Sequence, residues 1–93
     1  MKLYQWYIIQ DIHMKDDKYY IVQYYGREEG FECMVCNHGR NAYCVNRYYA
    51  PDQYETWCWG KEHMPRIIKV IGKSDEQIID NEENLKKYLD EVK

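Results

Sequence analysis

Three tyrosine doublets, Tyr19-Tyr20, Tyr24-Tyr25 and Tyr48-Tyr49, lie inside runs rich in aromatic and β-branched residues, and runs of that kind belong in strands. Successive strand side chains point to opposite faces, so each doublet is expected to send one phenol to either side of a sheet. An outward Tyr offers a stiff apolar ring with one hydrogen-bonding hydroxyl, a chemistry recurrent on recognition surfaces. Tyr is also the dominant ring here, with eleven Tyr against one Phe.

The strand pattern extends along most of the chain. Residues 2 to 12 carry Leu3, Tyr4, Trp6, Tyr7, Ile8, Ile9 and Ile12, with apolar residues in both alternating sets, which suits a central strand covered on both faces. A polar turn over 13 to 18 leads into a second strand-like run at Tyr19 to Gly26. The turn Gly26-Arg27-Glu28-Glu29-Gly30 precedes a run from Phe31 to Cys36, and Asn37 to Asn41 precedes another at Ala42 to Tyr49. Short loops of this kind connect antiparallel neighbours, so the expected arrangement is a meander. From residue 50 to residue 63 the periodicity dissolves, and an irregular loop carrying Tyr54, Trp57 and Trp59 is expected there, either plugging the end of the core or lining a cleft. Arg66 to Ile71 reads as a further strand, begun after Pro65 and ended by Gly72.

At the C-terminal end, Ser74-Asp75-Glu76-Gln77 and Asp80-Asn81-Glu82-Glu83 offer competing capping boxes. Ile78, Leu85, Leu89 and Val92 fall near one helical stripe, with acids early and Lys86 and Lys87 later, as the helix dipole favours. A helix over residues 82 to 92 is expected. With 93 residues the chain supports a single domain, 1 to 93. The expected fold class is α+β: an antiparallel β-sheet of four to five strands with one C-terminal helix packed on one face.

Charge narrows the partners. Residues 74 to 93 hold seven acids against three lysines, so the formal charge of −3 leaves the remainder near neutral. Duplex nucleic acid is thereby disfavoured, since neutralising several phosphates needs a dense basic patch. No window has the length of a membrane span, and the first residues lack the features of an export signal, so a cytoplasmic location with reduced thiols is expected.

Cys33-Met34-Val35-Cys36 has a spacing that can clamp zinc, and the nearest complete ligand set is Cys33, Cys36, Cys58 and His63. Against it, Met34-Val35 reads as strand interior, which points the two cysteines to opposite faces; buried, reduced cysteines are the plainer expectation. No nucleophile elbow, phosphate-cradling loop or H-E-x-x-H is present, and His13, His38 and His63 fall in turn or loop sequence, so no catalytic residues and no enzymatic activity are expected.

What remains is recognition. Tyr20, Tyr24, Tyr25, Tyr48 and Tyr49, with Arg27 and Arg47 beside them and Trp57 and Trp59 in the following segment, make the Tyr, Trp and Arg mixture common at interface hot spots. The outer members of the doublets are expected to form a row across the helix-free face, with homodimerisation through that face a further option. The expected function is a small non-enzymatic binding protein that occupies a partner protein's surface, similar in genre to inhibitors encoded by phages and mobile elements. Two alternatives are a module sequestering a nucleotide-like molecule among the Trp and Tyr rings, and a zinc-stabilised adaptor.

Overall fold

The structure, a computed structural model, describes residues 4–11, 18–25, 42–60 and 65–90. Five strands and one helix follow in chain order: β1 (Trp6–Gln10), β2 (Tyr19–Tyr24), β3 (Ala42–Ala50), β4 (Gln53–Gly60), β5 (Arg66–Gly72) and α1 (Glu82–Asp90). They form one antiparallel sheet in the order β4-β3-β2-β1-β5. β1 to β4 make a meander, and β5 returns to the far edge beside β1. The α+β architecture is therefore as the residue pattern requires. The expected strand at 31 to 36, with Cys33 and Cys36, lies outside the described residues, as do Arg27, His63 and Val92.

Alternation divides the sheet into two packed faces. On one, Trp6, Ile8, Ile21 and Ile78 are buried, and Tyr48, Ile68, Ile71, Leu85, Tyr88 and Leu89 pack against them. This is the helix side, and Ile78, Leu85 and Leu89 supply its apolar stripe. On the other, Tyr7, Ile9, Val22, Tyr24, Val45 and Trp59 are buried, joined by Tyr20, Tyr43, Trp57 and Ile67. β1 contributes to both, and its Trp6, Tyr7, Ile8 and Ile9 are all buried, which is why both of its alternating sets are apolar.

Residues 50 to 63 depart from the expected irregular loop. Gln53–Gly60 is an eight-residue strand, paired with β3 from Ala50↔Gln53 to Ala42↔Gly60. Its stability is written across the pair. Val45 faces Trp57, Tyr43 faces Trp59, Arg47 faces Glu55, and Thr56 Oγ1 donates to Asn46 Oδ1 at 3.0 Å. Cross-strand pairs of this kind stabilise a sheet without giving either strand a hydropathic period of its own. The connection is Pro51-Asp52, with Pro at the position whose φ it presets and Asp52 left-handed at φ 58°. A turn of that hand does not match strand twist, and the register shifts between Tyr48 and Ala50.

The helix begins within the second candidate box but one residue later than that box places it, with Asn81 rather than Asp80 as the cap. Asn81 Oδ1 accepts the Asn84 N–H at 2.7 Å, and the Asn81 carbonyl accepts the Leu85 N–H at 3.0 Å. Glu82 and Glu83 occupy the first turn and Lys87 the last. Lys69 on β5 donates to the carbonyl of Tyr88, tying the last turn to the sheet. Ser74, the first candidate cap, instead closes a local turn, accepting the Glu76 N–H at 3.2 Å and donating to the Glu76 carbonyl. No helix of the described residues is long and apolar enough to cross a membrane.

Asn81→Ala is expected to lower stability by about 1 kcal/mol through the lost cap, and Ser74→Ala by only a few tenths, because its turn is exposed. Urea unfolding of the two variants measures the difference; equal losses would mean that the helix does not depend on Asn81.

Candidate functional site

The sheet is incomplete at one place, and the site forms there. β2 and β3 pair only at Gln23↔Asn46 and Tyr24↔Val45, with Tyr25 N–H donating to the Cys44 carbonyl. Continuing that register would bring Ile21 opposite Tyr48. Instead Asp80 stands between them. Its backbone N–H donates to the Tyr48 carbonyl at 2.7 Å, and its Oδ1 accepts the Ile21 N–H at 3.1 Å. One residue from the segment before α1 thus satisfies a donor on β2 and an acceptor on β3, and the two strands part around it.

The Asp80 carboxylate also holds Arg47. Its Oδ2 accepts from Arg47 Nε, while Arg47 Nη1 reaches Glu55 Oε1 at 2.8 Å on β4. The Arg47 guanidinium carbon lies 5.7 Å from the Tyr20 ring centre and 5.5 Å from that of Trp57, and the two rings meet edge to face at 4.9 Å. Burial works against the charge on Arg47, but Asp80 and Glu55 outweigh it and hold the guanidinium proton above its ordinary range. A groove of about 580 Å³ opens beside this cluster, walled by Tyr19, Tyr20, Arg47 and Trp57 on the sheet and by Asn81, Glu82 and Leu85 at the start of α1.

A second cavity, of about 260 Å³, is lined by Asp11, Trp57, Cys58 and Trp59. Asp11, just past the end of β1, is only 8% exposed, and the Trp59 indole Nε1 donates to its Oδ2 at 2.9 Å. Trp57 and Trp59 meet at right angles, 6.1 Å between centres.

The hairpin tip presents a third aromatic group. Tyr48 and Tyr54 pair across the strands with centres 5.1 Å apart, and Tyr48 leans on Trp6 at 5.7 Å. Tyr54 and Tyr49 are about half exposed, at 52% and 51%. A reciprocal pair holds the tip to the body: Asp52 N–H donates to Gln77 Oε1 and Gln77 Nε2 to Asp52 Oδ1, each at 2.9 Å. Burial, then the neighbouring Tyr54 and Asp52, push the Tyr48 phenol above its ordinary range.

Of the residues expected to bind, the structure brings Tyr20, Arg47 and Trp57 together. Trp59 contacts Trp57 but sits in the core. Tyr24 is 1% exposed, a packing residue against Tyr43. Tyr25 packs with Cys58 on Cys44. The expected row of outward doublet members does not form: exposed Tyr19 shares its strand parity with helix-side Ile21, whereas exposed Tyr49 shares its parity with Val45 on the opposite face. Of the four expected zinc ligands only Cys58 lies within the described residues; its register partner is Cys44, and neither is in a disulfide. Among the described residues no group of three or more His, Cys, Asp or Glu converges as a metal centre would require.

Sequence reasoning missed Asp80 and Asp11 as organising groups. Asp80 was legible only as a candidate cap, and Asp11 carried no signal. No protein-family model matches the chain, and neither a curated protein nor a solved structure matches it significantly.

Asp80→Ala is expected to cost roughly 3 kcal/mol or more, since the Asp80 side chain is 4% exposed and its loss strands both Arg47 and the Ile21 N–H. Glu55→Ala, at the exposed end of the same network, should cost less than about 1 kcal/mol. Denaturant midpoints with unchanged slopes provide the comparison, and equal effects would remove Asp80 from its central position. For Tyr48, a phenol raised in the folded state contributes stability that is complete below about pH 10 and is lost as pH rises, because the unfolded chain ionises first. Tyrosinate absorbance should show a late-ionising phenol that Tyr48→Phe removes; an unchanged titration in that variant would exclude the assignment.

Proposed function

We propose that the chain is a small non-enzymatic binding protein that acts by occupying a partner protein's surface, with the groove between β2, β3 and the start of α1 as its recognition cleft. The observation that carries this reading is that Arg47 is already neutralised. Two carboxylates, Asp80 and Glu55, hold the guanidinium while Tyr20 and Trp57 flank it. A nucleotide-like ligand entering this groove would have to displace a carboxylate to place a phosphate on Arg47, and Lys18 and Glu82, which also line the groove, are of opposite sign. A protein side chain has no such requirement, and a wall of Tyr, Trp and Arg with balanced charge is the composition that anchors protein interfaces.

Exposed Tyr19, which lines the groove, extends the contact surface. The ordered ion pair keeps the aromatic walls in place before a partner arrives, which reduces the entropy lost on binding. The narrower form of the proposal, an inhibitor of a host defence system encoded by a phage or mobile element, is supported by size, acidity and aromatic content alone.

Affinity capture from cells of the source organism, followed by binding measurements with the purified partner, tests the proposal. Tyr19→Ala is expected to weaken binding at least about tenfold while leaving the unfolding midpoint unchanged. Unaltered affinity, or saturable binding of a nucleoside triphosphate that the substitution abolishes, would overturn it.

A further inference from the structure

Two thiols face each other across the β3–β4 hairpin. Cys44 and Cys58 are register partners, and residues directly opposite on an antiparallel pair carry their side chains on the same face. Cys44 is fully buried, and the half-buried Cys58 packs against it together with Tyr25. We propose that this pair is a reversible oxidation site, in which a disulfide between Cys44 and Cys58 staples the hairpin that supplies Arg47 and Trp57 to the groove.

The hydrogen-bonding pattern fixes how close the two residues come. The Cys44 carbonyl accepts the Tyr25 N–H at 3.0 Å, so the backbone of Cys44 is turned toward β2. Tyr48, four residues on, is turned the same way, its carbonyl accepting the Asp80 N–H. Cys44↔Cys58 is therefore a non-hydrogen-bonded pair of the β3–β4 ladder, the kind in which side chains lie closer and Cα atoms are about 4.5 Å apart. Disulfides span Cα separations of roughly 4.4–6.8 Å, so the bond needs rotation of two side chains and no new strand pairing. A separation at the short end of that range leaves the bond easily reduced, which suits a site that is switched rather than a permanent link.

Oxidation proceeds by exchange with a low-molecular-weight disulfide, oxidised glutathione. The thiolate of Cys58, the more accessible residue, attacks one sulfur of that disulfide; the glutathione S–S bond breaks and one glutathione leaves as its thiolate. Cys44 then gives up its proton and attacks the Cys58 sulfur, the mixed S–S bond breaks, and the second glutathione leaves. Two protein thiols are oxidised, one disulfide is reduced to two thiols, and the protons from the cysteines end on the two glutathiones. The new bond closes a loop within the hairpin and restricts the unfolded chain, so the oxidised protein is the more stable form. The site stands whether or not the groove captures a partner.

The test takes the intact, reduced chain through glutathione buffers of increasing oxidised fraction without denaturant, blocks the remaining thiols with N-ethylmaleimide after an acid quench, and maps tryptic peptides by mass spectrometry. Cleavage after Arg27, Arg40, Arg47 and Lys61 places Cys44 in peptide 41–47 and Cys58 in peptide 48–61, while Cys33 and Cys36 share peptide 28–40. The expected product is peptide 41–47 linked to 48–61 with the loss of two hydrogens, reverting in excess reduced glutathione, together with a higher urea midpoint for the oxidised chain. Cys33→Ser with Cys36→Ser should leave the link intact; if that variant does not fold, the peptide map of the unaltered chain decides alone. Absence of the 41–47 to 48–61 link, joining of Cys44 or Cys58 to peptide 28–40 in its place, loss of the link in the folded double variant, or an oxidised form no more stable than the reduced one would each overturn the proposal.

Discussion

Asp80 is the residue on which the arrangement of this protein turns. An acid from a non-helical segment enters a sheet at the point where two strands would otherwise pair, and its backbone and side chain replace the missing partner on each side. A buried carboxylate is costly unless compensated, and here the compensation is local: one backbone N–H and one guanidinium meet its two oxygens. The same contacts set the spacing between β2 and β3. That spacing is what admits a groove.

From this constraint the rest of the site follows. Held by Asp80, Arg47 cannot swing into solvent, and its planar head becomes a surface for Tyr20 and Trp57. Glu55 closes the network from β4. The segment supplying Asp80 leads directly into Asn81, which caps α1, so the residue that parts the strands is fused to the residue that starts the helix. Packing of Leu85 and Leu89 on the cluster of Trp6, Ile8, Ile21 and Ile78 then locks helix, wedge and sheet into one unit. The groove and the smaller Asp11 cavity share Trp57.

Parts of this were legible in the residues. α1 was, because a helix carries its own period, cap and charge gradient within one turn or two. β1, β2 and β3 were, because buried strands concentrate β-branched and aromatic residues. β4 was not, because Trp57, Trp59, Glu55 and Thr56 each answer to a residue on β3 rather than to a neighbour in sequence. The site was legible only in composition. Tyr20, Arg47 and Trp57 could be suspected one by one, but their convergence depends on Asp80, which is 33 residues from Arg47 and 59 from Ile21. Likewise, 48 residues separate Trp59 from Asp11.

Sequence alone determined that this chain forms an antiparallel sheet with a C-terminal helix, because strand alternation and helix period are local properties of a polymer with fixed backbone geometry. It also determined that the chain would be rich in Tyr and Trp. Tertiary structure decided which of those side chains face water, since a one-residue choice of register inverts every side chain on a strand. It placed Tyr24 in the core and Tyr49 outside, and it set a carboxylate between two strands to make a cleft. Those outcomes rest on pairings between distant segments, whose geometry exists only once the sheet has closed.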